Sequence, residues 1–302
     1  MNNQIETIKC DVDVNDSFTS IRSKEDCDIV KWCCENIETL RENLYKTGLL
    51  HFSGFGVIDP ELFKEIASIF CGELYEKNGE HVNLPTVSGV QNPVFYAPDE
   101  KLLWHNENSF NFTWPKVICF GCQKKATSGG DTPIVDSRSV YNMVSQTARE
   151  AFEEKGITYI RLYQKNIGLS WKKVYEVDNE EELERLLESE DTDYEWYSDG
   201  SLRTWSRRPA VIPHPVTGEK SWFNQALHWH TACLVPEVRE AMLLSFGTDN
   251  MPRGCCFGDG TTIPDEMILD IMRIYEEQEL VIPWRVGDFF IVDNILKAHA
   301  RN

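Results

Sequence analysis

His105 and Glu107 stand two residues apart in the stretch HNENSFNFTWPKVICFGCQKKATSGGDTPIVD (105–136), and His299 stands near the end in DNILKAHARN. In extended backbone, residues i and i+2 project to one side. An imidazole and a carboxylate can therefore face one ion, with Asn106 turned away. One distant histidine completes a facial set of two imidazoles and a carboxylate. Such a set leaves coordination positions open and suits non-haem Fe(II) chemistry with O2. His299 follows directly on an apolar strand, and packed sheets can set it opposite His105. The pair by itself also reads as a surface ion pair, and a second group competes with it. His228-Trp229-His230 is another i, i+2 pair with His214 nearby. Those three imidazoles could take zinc or iron, or pack among aromatics as one face of a strand.

The elements that must position these residues are short. Ser23 with Asp26 resembles a capping box. Val30, Cys33, Ile37, Leu40 and Leu44 then recur at helical spacing up to Gly48. LLHFSGF (49–55) reads as a buried strand, and Asp59-Pro60 opens a second helix. Residues 76–100 are rich in Gly and Pro and read as a lid ahead of the site. VICFGC (117–122) and TPIVD (132–136) read as strands around a Gly129-Gly130 turn. Thr147 with Glu150 marks another helix, and ITYIRLY (157–163) alternates as a strand. NEEELERLLESED (179–191) is an acidic helix. Asp199-Gly200 is a hairpin turn between aromatic runs, and a second hairpin turns near Thr217-Gly218. Pro236 and Pro264 start helices. LVIPW (280–284) and FFIVD (289–293) are strands leading to His299. No repeat, low-complexity tract or linker divides the chain. The expectation is one domain over residues 1–302, mainly β, with N-terminal helices and a helical insertion around 170–190.

The 302 residues are 41% hydrophobic and 26% charged, which allows a large core and argues against disorder. A net charge of −19 argues against nucleic acid and anionic membrane as partners. No basic start followed by an apolar core marks a signal peptide, and no apolar run is long enough to span a bilayer. The expected location is the cytoplasm, with the ten cysteines reduced. Cys119 and Cys122 form a C-x-x-C, but in a strand their side chains face opposite ways and lack the helix start that redox pairs use.

From about residue 28 onward the chain resembles the taurine dioxygenase/clavaminate synthase-like family of Fe(II)/2-oxoglutarate oxygenases, and within it the branch of syringomycin-biosynthesis-type hydroxylases. The resemblance is carried by several ordered motifs. They are His105-Asn106-Glu107-x-Ser109-Phe110, Trp114-Pro115, Gly129-Gly130-Asp131-Thr132-Pro133-Ile134-x-Asp136-Ser137-Arg138, Trp222-Phe223-Asn224-Gln225, Gly258-Asp259-Gly260, Pro283-Trp284, and Gly287-Asp288 with Asp293-Asn294 before His299-x-Arg301. It implies a distorted jelly-roll (a cupin-like double-stranded β-helix), with iron on His105, Glu107 and His299 and with Fe(II), 2-oxoglutarate and O2 as cofactors. It implies that Thr132 hydrogen-bonds the far carboxylate of 2-oxoglutarate. The family's usual arginine for that carboxylate and its final strand are absent up to Asn302, so either the chain is partial, which is the expectation, or the cosubstrate is held differently. Arg301 is the basic residue that remains past His299. The activity implied is hydroxylation of an unactivated C–H of an amino acid or derivative, free or on a carrier protein. Desaturation or cyclisation is the alternative within the family, and a non-enzymatic binder of metal or a small acid is the alternative outside it. Glu107 is a carboxylate, which argues against halogenation. Candidate substrate residues are Asn108, Ser109, Asn224, Gln225, Arg203 and Arg207, with Arg208 beside them.

Overall fold

Phe289–Asp293 shows no alternation of apolar and polar residues because both of its faces are covered. Phe289 and Ile291 point into one core, where Phe52 stacks on Phe289 at 4.4 Å. Phe290 and Val292 point into another, where Trp284 stacks on Phe290 at 4.1 Å. Burying such a side chain stabilises the fold by about 1.5–3 kcal/mol, so this strand anchors everything that follows it. A computed structural model describes it along with residues 10–24, 27–75, 84–92, 101–165 and 167–302.

The chain opens with a hairpin, β1 (Cys10–Val14) and β2 (Thr19–Ser23), then α1 (Ile29–Thr47). The N-cap of α1 is Asp28, whose carboxylate accepts from Lys31 N at 3.0 Å, so the helix begins later than the Ser23–Asp26 pattern predicts; Asp26 lies outside the described residues. Gly48 ends α1 at φ 73°, and a Cβ there would meet Lys297 Cε at 2.7 Å. β3 (Leu49–Ser53) runs parallel to β2, and Asp59 caps α2 (Pro60–Cys71) as its sequence predicts. Of the expected lid, only 84–92 belongs to the described residues.

β4 (Leu102–His105), β5 (Val117–Gly121) and β6 (Ile134–Asp136) follow, then α3 (Ser137–Met143) and α4 (Gln146–Lys155). Ser145, not Thr147, caps α4, its hydroxyl accepting from Ala148 N. β7 (Ile157–Tyr163), α5 (Trp171–Tyr175), α6 (Glu180–Ser189), β8 (Thr192–Trp196) and β9 (Leu202–Arg208) come next, with β8 and β9 forming the Asp199-Gly200 hairpin. β10 (Val211–Pro213) and β11 (Lys220–Trp222) form the second hairpin. α7 (Ala226–Trp229) occupies the place of the expected His228–His230 strand. α8 (Pro236–Phe246), β12 (Arg253–Phe257) and α9 (Asp265–Gln278) precede β13 (Phe289–Asp293) and β14 (Lys297–Arg301). Residues 280–284 do not form a strand; Leu280 makes one isolated bridge to Ile134.

The architecture is mainly β with helices on its flanks. Three sheets carry it, in the orders β1-β2-β3-β13-β5, β4-β14-β6 and β12-β7-β9-β8, with β10-β11 as a separate ribbon. Helices α1 and α2 cover the first sheet through Trp32, Leu40, Leu44, Ile66 and Phe70. A second core holds Phe152, Trp222, Phe257 and Tyr275 together. Among the described residues, no helix is long and apolar enough to cross a membrane.

Candidate metal centre

His105 closes β4 and His299 sits within β14. These strands are antiparallel neighbours in which His105 and His299 are direct partners. The two ligand candidates therefore lie side by side on one sheet, not on facing sheets as the sequence suggests. Their ring centroids are 4.2 Å apart. Glu107 lies just beyond the end of β4, and its Oε2 is 3.6 Å from Nε2 of both histidines. The three ligand atoms fall within 4.8 Å of one another, and no other group of three such donors occurs among the described residues.

The hydrogen bond on the other side of the ring fixes the tautomer of His105. Its Nδ1–H donates to Leu103 O at 2.8 Å, which leaves the Nε2 lone pair turned toward Glu107. Metal bonds of about 2.1 Å at right angles separate neighbouring ligand atoms by about 3 Å. Nε2 and Oε2 are close to that spacing, so the residues fit a divalent ion. The set lacks a carboxylate-rich, hard-oxygen character and matches the two-imidazole, one-carboxylate chemistry of non-haem iron.

A fourth imidazole adjoins the centre. His228, on α7, lies with its ring 4.6 Å from that of His105. Its Nε2–H donates to the same Leu103 carbonyl at 2.6 Å. Burial, then the neighbouring His105, pushes His228 down to about 3, so it is neutral near pH 7. On the opposite flank, Phe120 of β5 packs 5.0 Å from the His299 ring. A cavity of about 1580 Å³ opens over this row of rings, lined by His105, Glu107, His299, His228, Thr132 and Arg301 among others.

The remaining candidates divide sharply. Thr132 lines the cavity and its hydroxyl accepts from Trp284 Nε1 at 3.1 Å. Arg301 lines it two residues past His299, across an irregularity in the strand register. Asn108 lines it from a left-handed turn at φ 56°. Gln225 lines it too and donates to Asn106 O at 3.0 Å. Ser109 is buried and does not reach the cavity. Asn224 is committed to a turn, where it donates to Ala210 O and accepts from Ala226 N. None of the three arginines lines the cavity. Arg203 binds Asp249 O and Asn250, Arg207 reaches Lys155 O, and Arg208 is a buried strut donating to Glu190 O, Asp191 O and Thr192.

The competing histidine group is not assembled. His214 pairs with Asp293 at 3.0 Å and accepts from Thr217 N; His230 bonds to Ile263 O and accepts from Ala232 N. Cys119 faces Cys71 in one core while Cys122 packs in another, as residues three apart on a strand should. Two cavity residues carried no recognised signal. Trp229 and Arg253 pack together, guanidinium over indole at 5.4 Å. Arg253 stands five residues before the matched Gly258-Asp259-Gly260, which was the cue available.

The chain is similar to proteins already known. The model of the taurine catabolism dioxygenase TauD, TfdA family matches residues 17–302. The dapdiamide synthesis protein DdaC of Enterobacter agglomerans is 34% identical over 262 residues, covering 86% of this chain and 79% of that protein. A clavaminate synthase-like protein of Arabidopsis thaliana is 28% identical over 270 residues, covering 85% and 78%. The crystal structure of AAD-2 in complex with Mn(II) and N-oxalylglycine superposes with a TM-score of 0.53 over 98% of this chain and 92% of that one, at 13% identity, which is a likeness of fold.

Proposed function

The chain belongs to the taurine catabolism dioxygenase TauD, TfdA family and is a non-haem Fe(II)/2-oxoglutarate-dependent dioxygenase; from that premise we propose that it hydroxylates an unactivated C–H bond of an amino acid or amino-acid-derived compound, free or carrier-tethered, in a biosynthetic pathway. In this reading the sheets form one domain, a distorted jelly-roll whose cavity is the active site. His105, Glu107 and His299 hold the Fe(II). The convergence of their three ligand atoms, with the His105 tautomer fixed by Leu103 O, is the observation that carries the reading. The relative named for dapdiamide synthesis supports the biosynthetic setting.

Held by His105, Glu107 and His299, Fe(II) with 2-oxoglutarate and O2 would supply the oxidising power for C–H cleavage, with succinate and CO2 as the co-products. The chain's residues supply placement and dryness. Thr132 would donate its hydroxyl proton to the distal carboxylate of 2-oxoglutarate, and Arg301 would add a charged partner. Trp284 holds the Thr132 hydroxyl oxygen from behind, which leaves its proton for the carboxylate. His228, neutral, and Phe120 wall the two flanks of the ligand set and exclude water. Asn108 and Gln225 face the substrate.

Succinate release from 2-oxoglutarate with Fe(II), measured across an amino-acid panel, tests the activity. Metal content of His105→Ala tests the site. The expected result is turnover with one panel member and loss of bound metal in the variant. Full metal occupancy in His105→Ala would falsify the ligand assignment.

A further inference from the structure

Glu107 lies beyond the β4–β14 ladder. β4 ends at His105, and the last ladder contact with β14 is His105 with His299. Glu107 Oε2 nevertheless sits 3.6 Å from both imidazoles. Past the end of that ladder, the side chain of Asn294 bonds the Glu107 backbone as a neighbouring strand would. Its Oδ1 accepts from Glu107 N at 2.6 Å, and its Nδ2 donates to Glu107 O at 3.0 Å and to Pro115 O at 2.8 Å. A carboxamide carries the same donor and acceptor as a peptide group, so Asn294 makes with Glu107 the reciprocal pair of bonds that a neighbouring strand residue would make. Asn294 is fully buried, and its backbone N–H is tied to Lys116 O at 3.0 Å.

Asn106 returns the grip. Turned away from the metal centre, it donates to Asn294 O at 2.7 Å and Lys297 O at 3.2 Å, while Gln225 holds its carbonyl at 3.0 Å. The two asparagines interlock the His105–Glu107 segment with the turn that launches β14 and His299. We infer that Asn294 is the positioning residue that sets the Glu107 carboxylate against the two histidines, with Asn106 as its counterpart. The inference rests on Glu107 being a metal ligand, as proposed above. Aspartate cannot replace Asn294, because it loses the donors to Glu107 O and Pro115 O and sets a carboxylate against two carbonyl oxygens.

The test is Mn(II) affinity of the full chain, read from the electron paramagnetic resonance signal of free Mn(II). Asn294→Ala and the isosteric Asn294→Asp should each weaken binding about 10- to 100-fold, the range for lost outer contacts to a metal ligand. Asn36→Ala, which removes a buried amide bonded to Trp32 O on α1, controls for general destabilisation and should leave affinity within about twofold. Asn294→Asp keeps the test open should Asn294→Ala not fold. Wild-type affinity in a folded Asn294 variant overturns the clamp alone. Wild-type protein that binds no Mn(II), or whose binding survives His105→Ala, overturns the ligand set and the clamp with it.

Discussion

At the scale of single residues, function here is a matter of which atom each polar side chain has left to offer. Leu103 O collects the N–H groups of His105 and His228, and that fixes both tautomers. Glu107 needs an abrupt exit of the chain after it, and Asn108 supplies it at φ 56°. Asparagine tolerates this left-handed conformation; a β-branched residue does not. Asn108→Val should cost about 1–2 kcal/mol by urea unfolding, whereas Asn108→Gly should lie within about 0.5 kcal/mol of wild type. Equal losses in both variants would show that the side chain, not the backbone angle, matters there. The pattern His-x-Glu was legible because two residue types at one spacing suffice for it. The clamp by Asn294 was not, because it joins residues far apart in sequence through contacts that only folding creates.

At the scale of elements, one carboxylate ties β6, α3 and β14 together. Asp136 caps α3 by accepting from Arg138 N and Ser139 N, and it binds Lys297 Nζ at 2.8 Å and Arg138 Nη2 at 2.7 Å. Burial alone raises its carboxyl, but Arg138 and Lys297 outweigh that and hold it down to about 2. An ionised Asp136 therefore favours the folded state above its ordinary value of 3.8. That contribution, about 2 kcal/mol, is lost as pH falls from about 4 through about 2. Asp136→Asn should remove this acid-range slope and, by stranding the buried Lys297 ammonium, cost about 3–5 kcal/mol at pH 7. Denaturant midpoints at pH 7, 4 and 2.5 check both parts. Element type was legible wherever a period was sustained: β7 matches the alternating run 157–163 residue for residue. It failed at α7, where four residues are too few to show a period and the chain follows its packing against β4 and α9.

At the scale of the whole molecule, the cavity does not share the charge of the chain. The protein carries −19. Around the cavity, six basic residues (Arg41, Lys116, Lys124, Lys125, Arg253, Arg301) stand against five acidic ones (Glu73, Glu107, Asp131, Asp288, Asp293) among the described residues. A dianionic cosubstrate entering an acidic protein gains from such a lining, and salt screens that gain. The KM for 2-oxoglutarate should rise between about 0.02 and 0.5 M salt, with kcat little changed. A KM independent of salt in the succinate assay would show that the lining charge does not guide entry.

The sequence by itself marked most elements and the candidate residues His105, Glu107 and His299 by residue type, short spacing and local period, and the resemblance of its ordered motifs gave the family and the cofactor chemistry. Only the tertiary structure decided that the two histidines are ladder partners on one sheet, that His228 joins them, that Arg203, Arg207 and Arg208 do not reach the cavity, and that Asn294 holds Glu107. The physical reason is direction. A sequence gives a side chain its chemistry, but the face it turns to, and the distant carbonyl or carboxylate it meets there, follow from how the sheets pack around β13 and β14.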